Sequence, residues 1–247
     1  MEWLQNWREF VLRLLPQGEG RTGMTQQERH AVLGTALGAP LSTSQAEVLF
    51  GCGCFWGAEK GFWRLPGVVT TAVGYAGGSG PNPTYQQVCS GRTGYAEVVR
   101  VVWDVNAIDF SDLLKLFWEC HDPTQGNRQG NDRGSQYRSA IFTSDDHQLA
   151  LAEASREAYQ SLLSAAGHGP ITTEIASHIP FFFAEPYHQQ YLAKPGSRPY
   201  CSAEPSGVAL GDFAAAHYKL PASVWQHYDW KVSHCVLRGD NAPIPLP

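Results

Sequence analysis

Short apolar runs that predict strands alternate along the chain with longer segments whose apolar residues recur at helical spacing. The predicted strands are 47–50, 67–75, 96–103, 138–142 and 171–175, and the predicted helices are 55–63, 113–118 and 149–166. Ser111 and Ser144 are suited to cap the second and third helices, and Gly167 to end the third. The alternation predicts a single layered α/β or α+β domain.

The regions that flank this alternating pattern differ from it in composition. Residues 16–46 are rich in Gly, Thr, Gln and Ser, and residues 1–15 can form an amphipathic docking helix. The C-terminal region contains Trp225, Tyr228 and Trp230, which makes it too aromatic for a disordered tail. We therefore expect an N-terminal arm, a catalytic domain and a C-terminal extension, with the bounds 1–46, 47–210 and 211–247.

Composition and charge exclude several classes of partner. The chain has 247 residues, of which 43% are hydrophobic and 17% charged, and its formal net charge of -5 comes without a basic block. A nucleic-acid binder is therefore not expected. There is no run of about 18 apolar residues that could span a bilayer and no signal peptide, and Glu2 and Glu9 argue against a mitochondrial presequence. We expect a cytoplasmic monomer.

The cysteines are few and irregularly spaced, at positions 52, 54, 89, 120, 201 and 235. This pattern is not typical of a secreted disulfide scaffold, and no pair has the usual spacing of zinc ligands. We therefore expect no metal, and we interpret Cys52, Cys89 and Cys120 as structural.

Cys54 lies where a predicted strand turns into a predicted helix, directly before Phe55 and Trp56. A helix N-terminus stabilises an anion by roughly 1 to 2 kcal/mol, which predicts a thiol pKa lowered by about one unit. Gly53 and Gly57 allow backbone or substrate to come close. Cys54 is thus a candidate nucleophile, and the alternative is a small buried side chain.

Polar candidates lie on one strand and in two loops. Glu97 shares the more apolar face of its strand, so burial is expected to raise its pKa and make it a proton donor. Its alternatives are a strand end reaching solvent or a pair with an arginine. Tyr85, Asp132 and Tyr137 lie in glycine-rich loops, where binding groups concentrate, although each alone could be a surface turn residue.

Eight motifs in order give the chain a family resemblance. They are Gly53-Cys54-Phe55-Trp56-Gly57, Gly74-Tyr75 with its glycine loop, Asn82-Pro83-Thr84-Tyr85, Gly94-Tyr95-Ala96-Glu97, Phe117-Trp118 with His121-Asp122-Pro123, Gln129-Gly130-Asn131-Asp132, Gln136-Tyr137-Arg138-Ser139 and Tyr187-His188-Gln189-Gln190-Tyr191. Between residues 47 and 201 the chain thereby resembles peptide methionine sulfoxide reductase A. The resemblance implies an α+β fold, a two-layer α/β sandwich around a mixed β-sheet with a ferredoxin-like core, and a reaction without cofactor.

The resemblance also implies roles for individual residues. Cys54 is the nucleophile that attacks the sulfoxide sulfur and becomes a sulfenic acid, while Glu97 protonates the oxygen. Tyr85 and Tyr137 hydrogen-bond that oxygen and Asp132 orients a water. Phe55 and Trp56 form the apolar pocket for the substrate methyl group, and the family is specific for the S epimer.

Cys201 matches the family's resolving position, and thioredoxin is the expected reductant of the disulfide. Oxidised proteins or peptides with methionine S-sulfoxide are the expected substrates. The tail departs from the family, because it carries one glycine, a proline and Ala209 where a third, recycling cysteine is expected. Cys235 in the extension could relay the disulfide instead, or it could be a packed side chain without a redox role.

Two other functions remain open from the residues alone. One is a cysteine hydrolase or acyltransferase that uses Cys54 with a histidine base such as His188. The other is a non-catalytic redox sensor or binding module for oxidised methionine. Such a binder needs no proton donor, so Glu97 argues against it.

Overall fold

The computed structural model describes residues 28–232 and 239–246. Its strands are β1 Gln45–Cys52, β2 Val68–Ala76, β3 Ala96–Asp104, β4 Arg128–Gln129, β5 Asp132–Arg133, β6 Ser139–Thr143, β7 Glu174–Ser177 and β8 Phe182–Phe183. Its helices are α1 Phe55–Trp63, α2 Tyr85–Cys89, α3 Phe110–Glu119, α4 Asp146–Ala165 and α5 Ala222–Trp225. Two 3₁₀ turns span Ser135–Tyr137 and Tyr191–Ala193.

A mixed sheet forms the centre of the fold. Six strands lie in the order β7-β6-β1-β3-β2-β8, and β4 pairs with β5 in a separate two-stranded hairpin. The β6–β7 pair is parallel, whereas the other pairs are antiparallel. The α+β class and the mixed sheet expected from the sequence are confirmed.

Strand alternation divides the core between the two faces of the sheet. On β3, Val99, Val101 and Trp103 join the main core, while Val98 belongs to a smaller apolar cluster with Leu49 of β1. Helices α1, α3 and α4 all contribute buried residues to the main core. Successive side chains of a strand point to opposite faces of the sheet, so a strand such as β3 contributes to both clusters. The helices cover the face that carries the main core, which gives the two-layer arrangement.

Two of the predicted helix caps are displaced. Asp109 caps α3 and accepts a hydrogen bond from the Ser111 backbone N–H, and Asp145 rather than Ser144 caps α4. Aspartate accepts from the first turn of a helix as well as serine does, so pattern alone did not separate the two. The prediction of Ser111 and Ser144 as N-caps is therefore wrong by two residues and one residue.

The loop between β2 and β3 contains a helix that the sequence pattern did not predict. Thr84 begins α2 with a capping box, in which its side chain accepts from the backbone N–H of Gln87 and the Gln87 side chain accepts from that of Thr84. A helix of five residues is too short to show an apolar period. The capping box is the sequence signal that could have indicated it.

The C-terminal region packs on the main core rather than standing apart from it. Leu220, Val224, Tyr228 and Ile244 are buried there. The final described segment runs along the end of α1, where Ile244 N donates to Arg64 O at 2.8 Å. The predicted docking helix at 1–15 lies outside the described residues. Among the described helices, none combines the length and the apolar character needed to cross a bilayer.

Candidate active site

Cys54 is the N-cap residue of α1, as the strand-to-helix junction predicted. The turn before it depends on Gly53, which has a φ of +88° and whose missing Cβ would lie 2.6 Å from the Gln129 Cβ. An L side chain is disfavoured at that φ and would also clash. Gly53 therefore permits the turn that places the thiol at the start of the helix.

The predicted lowering of the Cys54 pKa is wrong for the substrate-free protein. Burial raises the pKa of this thiol well above its ordinary value, and the carboxyl groups of Glu97 and Asp132 raise it further. A hydrogen bond from the Trp56 backbone at the helix start lowers the pKa, but the effect is smaller than that of burial. The helix end is present as predicted, yet desolvation outweighs it.

Glu97 is buried on β3 with 2% exposure, in line with the prediction that it lies on an apolar face. Its Oε2 accepts a hydrogen bond from the backbone N–H of Phe55 at 3.1 Å. Burial raises the pKa of Glu97 well above its ordinary value, and the like charges of Asp132 and Glu185 add to that effect. A protonated carboxyl group therefore lies beside the residue that follows Cys54.

Tyr85 and Tyr137 lie close enough to Glu97 and Cys54 for both groups to act on the pKa of each hydroxyl. Burial raises the pKa of Tyr85, followed by the Cys89 thiol and Glu97, so the hydroxyl stays protonated. Burial and then Glu97 likewise raise the pKa of Tyr137. Both groups are thus kept as neutral hydrogen-bond donors at any physiological pH.

Asp132 lies in the β4–β5 hairpin, at the edge of this cluster. Its Oδ1 accepts a hydrogen bond from the Tyr200 hydroxyl at 2.6 Å. Burial raises the pKa of Asp132, while the side chains of Tyr200 and Ser202 oppose that rise. The carboxyl group therefore joins the hairpin to the segment that carries Cys201.

Phe55 and Trp56 are both buried and belong to an aromatic wall at the start of α1. Trp56 stacks on Tyr191 with ring centroids 3.9 Å apart, and Phe55 packs against Tyr75 with centroids 6.1 Å apart. His188 lies between them, 5.1 Å from the Phe55 ring. Such a wall suits a thioether or methyl group, because sulfur makes favourable contacts with aromatic rings.

His188 is unsuited to activate Cys54 as a base. Its Nδ1 accepts a hydrogen bond from Trp56 Nε1 at 3.1 Å, so its lone pair is directed at the indole. The side chain is fully buried, and burial lowers the pKa of His188 to about 3. This geometry argues against a cysteine–histidine hydrolase.

The Cys201 sulfur packs against Gly57 of α1, one helical turn after Cys54. A Cβ at Gly57 would be 2.5 Å from the Cys201 Sγ, so the absence of a side chain there makes room for this thiol. Residues 54 and 57 share one face of the helix start. Burial raises the pKa of Cys201 to about 12, so it is a thiol rather than a thiolate.

The segment after Cys201 is held to the fold at several points. Gln129 Oε1 accepts from Glu204 N at 3.0 Å, Tyr159 donates to Val208 O at 2.9 Å, and Leu210 N donates to Glu119 at 2.7 Å. These hydrogen bonds join the segment to the β4–β5 hairpin, α3 and α4. Cys235, the predicted relay thiol, lies outside the described residues.

Within residues 28–232 and 239–246, one cluster could supply three metal ligands. The sulfurs of Cys52 and Cys120 and a ring nitrogen of His121 lie within 4.8 Å of one another. His121 Nδ1 lies 2.8 Å from Phe117 O, and a carbonyl only accepts, so this nitrogen carries a proton. The nitrogen nearest to Cys120 therefore has no lone pair for a metal, and the donor set does not fit one.

Sequence reasoning missed three residues that complete the site. Tyr200 donates to Asp132, Tyr191 stacks on Trp56, and Glu185 accepts from the Tyr85 backbone N–H at 2.8 Å. All three follow β8, far along the chain from their partners. The sequence signal for Glu185 and Tyr191 was their position within three residues of His188, and for Tyr200 it was the position directly before Cys201.

The family model for peptide methionine sulfoxide reductase matches residues 46–216. A peptide methionine sulfoxide reductase of Azotobacter vinelandii is 60% identical over 182 residues, which cover 73% of this chain and 83% of the relative. The Vibrio cholerae protein of the same name is 54% identical over 189 residues, or 76% of this chain and 89% of the relative.

Solved structures give the same result for the fold. Methionine sulfoxide reductase A of Corynebacterium diphtheriae superposes with a TM-score of 0.67 at 45% identity, over 81% of this chain and 98% of that one. Reduced Mxr1 of Saccharomyces cerevisiae has a TM-score of 0.59 at 32% identity, over 66% and 92% of the two chains.

Proposed function

The chain belongs to the peptide methionine sulfoxide reductase family and reduces methionine sulfoxide to methionine; on that premise we propose the residues that perform the reaction. Cys54 is the nucleophile and Glu97 is the proton donor. The observation that carries this assignment is the buried Glu97 carboxyl group, which accepts from the backbone N–H directly after Cys54. An acid and a thiol thereby meet at one helix end.

The first half of the reaction moves the sulfoxide oxygen from the substrate sulfur to the Cys54 sulfur. The Cys54 sulfur bonds to the sulfoxide sulfur while Glu97 protonates the sulfoxide oxygen, and the resulting Glu97 carboxylate takes up the proton that the thiol gives off. The hydroxyl group formed on the substrate then passes to the Cys54 sulfur as the bond between the two sulfurs breaks. Oxygen transfer releases methionine and leaves Cys54 as a sulfenic acid, with two electrons moved from cysteine to substrate sulfur. Substrate binding must lower the Cys54 pKa, because the free thiol is protonated.

The neighbouring side chains orient the substrate. The Tyr85 and Tyr137 hydroxyls, kept neutral by burial, donate to the sulfoxide oxygen, and Asp132 orients a water near it. Phe55 and Trp56 hold the methyl group. Oxygen and methyl are then fixed on different sides of sulfur, which selects the S epimer.

The second step regenerates the enzyme through Cys201. Its thiol attacks the Cys54 sulfenic acid, a disulfide forms and water leaves. Cys201 is supported in this role by its contact with Gly57, one turn from Cys54. A dithiol reductant of the thioredoxin type then opens the Cys54–Cys201 disulfide. Cys235 is the candidate relay, which would exchange with this disulfide before the reductant does.

Single-turnover conversion of a methionine S-sulfoxide peptide without reductant tests these roles. The wild type should form one methionine per chain and lose two free thiols, whereas Cys201→Ser should form one methionine and stop with a sulfenic acid that a dimedone probe labels. Cys120→Ser is the matched control, since it removes another buried thiol and should behave as the wild type.

The alternative outcomes are distinct. No methionine from the wild type would contradict the reductase chemistry of Cys54. A Cys201→Ser variant that still closes a disulfide in one turnover would contradict the resolving role of Cys201. Two methionines with four thiols lost in the wild type, reduced to one in Cys235→Ser, would support Cys235 as a relay.

A further inference from the structure

Glu185 makes direct contacts with two separate elements of the site. Its Oε1 accepts a hydrogen bond from the backbone N–H of Tyr85 at 2.8 Å, and its Oε2 accepts from the Tyr75 hydroxyl at 2.9 Å. Tyr85 is the first residue of α2, where the backbone N–H groups have no partner within the helix. The carboxyl group therefore ties the start of α2 to β2.

The third contact of Glu185 is with His188. The Nε2 of His188 lies 3.9 Å from Glu185 Oε2, and its Nδ1 accepts from Trp56 Nε1. Because Nδ1 accepts and burial keeps the ring neutral, the proton is on Nε2, on the side of Glu185. The dipole of the imidazole is thus directed along a line from Trp56 to the carboxylate.

We propose that Glu185 is a positioning residue of the reductase, which holds the Tyr85 hydroxyl and the Trp56 ring in register by joining α2, β2 and His188. The proposal rests on the proposed roles of Tyr85, Trp56 and Glu97. In this proposal Glu185 does not contact the reacting atoms. Its side chain is 17% exposed, so solvent only partly screens its charge.

The charge of Glu185 has a second consequence, because it acts on the proton donor. Both Glu185 and Asp132 place negative charge near Glu97, which favours the acid form of Glu97. His188 is neutral and contributes no compensating positive charge. The titratable groups of the described residues that face Glu97 are Cys54 of α1, Tyr75 of β2, Tyr85 of α2, Asp132 of β5, Tyr137 of the 3₁₀ turn and Glu185.

A purely structural role for Glu185 predicts something different. Loss of packing or of a hydrogen bond would lower stability or raise KM, but it would leave the pH at which Glu97 loses its proton unchanged. If Glu185 positions the site and its negative charge acts on Glu97, removing that charge should lower the rate of methionine formation and shift the pH profile. The two roles can therefore be separated by a variant that keeps the shape and removes the charge.

The test is Glu185→Gln, with Glu153→Gln as the matched control. Glu153 pairs with Arg156 on the exposed face of α4 and has no contact with the site. The single-turnover rate of methionine formation is measured against pH, together with kcat and KM. Glu185→Gln should lose about tenfold in rate, with the alkaline limb moved down by about half a unit or more, since one like charge is gone. Glu153→Gln should match the wild type.

A second readout does not depend on catalysis. In a Cys54→Ser background, the infrared band of the protonated Glu97 carboxyl group, identified by its loss in Glu97→Gln, is titrated with and without Glu185→Gln. The band should disappear at lower pH when Glu185 is neutral. An unchanged titration and an unchanged rate profile would overturn the inference.

Failure of this inference and failure of the proposed function give different results. If Glu97→Gln keeps the full rate, Glu97 is not the proton donor, whatever Glu185→Gln does to the infrared titration. If Glu185→Gln does not fold, Tyr75→Phe removes one contact of Glu185 but keeps its charge. That variant should lower the rate without moving the alkaline limb, and a moved limb would contradict the charge argument.

Discussion

Two buried glutamates, one within α1 and one on β3 beside the start of α1, differ in how many hydrogen-bond donors their carboxyl groups have. Glu59 is a residue of α1 with 0% exposure, and Glu97 approaches the start of the same helix from β3 with 2% exposure. Burial is the largest cause of a raised pKa for both, but the pKa of Glu59 rises only to about 7. Hydrogen bonding and neighbouring charges together account for the difference between the two pKa values.

Glu59 accepts hydrogen bonds from three donors. The Thr71 hydroxyl donates at 3.1 Å, and Gln190 donates through its backbone N at 2.8 Å and its side-chain Nε2 at 2.7 Å. His30 Nε2 lies 2.9 Å from the Thr71 hydroxyl and extends the network to the N-terminal segment. These contacts favour the carboxylate and offset part of the desolvation.

Glu97 accepts a hydrogen bond from Phe55 N and faces two like charges, those of Asp132 and Glu185. Its carboxyl group therefore stays protonated where that of Glu59 can ionise. A buried glutamate with a full set of donors joins elements of the fold, whereas one with few donors beside a cysteine retains a proton to transfer. Burial alone does not distinguish the two roles.

The largest expected effect is on catalysis at Glu97. Glu97→Gln keeps an acceptor for Phe55 N but has no proton to give, so the single-turnover rate of methionine formation should fall by about 10² to 10⁴. Glu59→Gln, at the other end of the comparison, should keep the rate within a few-fold. The single-turnover rates of the two folded variants are measured by rapid chemical quenching. Equal losses of rate in Glu97→Gln and Glu59→Gln would contradict the different roles given to the two glutamates.

Stability should respond to Glu59 in a pH-dependent way. Because the pKa of Glu59 is raised from 4.5 to about 7 in the folded state, its contribution is complete below pH 4.5 and is lost as pH rises through 7. In Glu59→Gln this dependence is absent, so its penalty in the free energy of unfolding should be about 2 to 3 kcal/mol smaller at pH 8 than at pH 5. Urea unfolding of both proteins measures the difference, and a constant penalty would contradict the raised pKa.

The smallest effect is expected from removing a single hydrogen bond near the C-terminal end of α1. Tyr228 of the C-terminal region donates to Gly61 O at 2.9 Å. Tyr228→Phe keeps the buried ring and removes this bond, so it should lower the free energy of unfolding by about 1 kcal/mol without changing the rate. A large loss of activity would show that this end of the helix is coupled to Cys54.

Much of the fold was predictable because it follows local patterns. The predicted helix 55–63 coincides with α1, and the strand predicted at 96–103 differs from β3 by one residue. The apolar face of that strand correctly indicated a buried Glu97. Short elements such as α2 and β8 were missed, since five and two residues are too few to establish a period.

The sequence by itself determined the layered fold, the family and the junction that holds Cys54, because these depend on periodicity and on motifs that are contiguous in the chain. Only the tertiary structure decided the protonation states. The thiol pKa of Cys54 rises instead of falling because burial and Glu97, 43 positions along the chain, outweigh the helix end. The donors to Glu59 and the contacts of Glu185 likewise come from distant segments, and desolvation and charge depend on distance in space rather than along the chain.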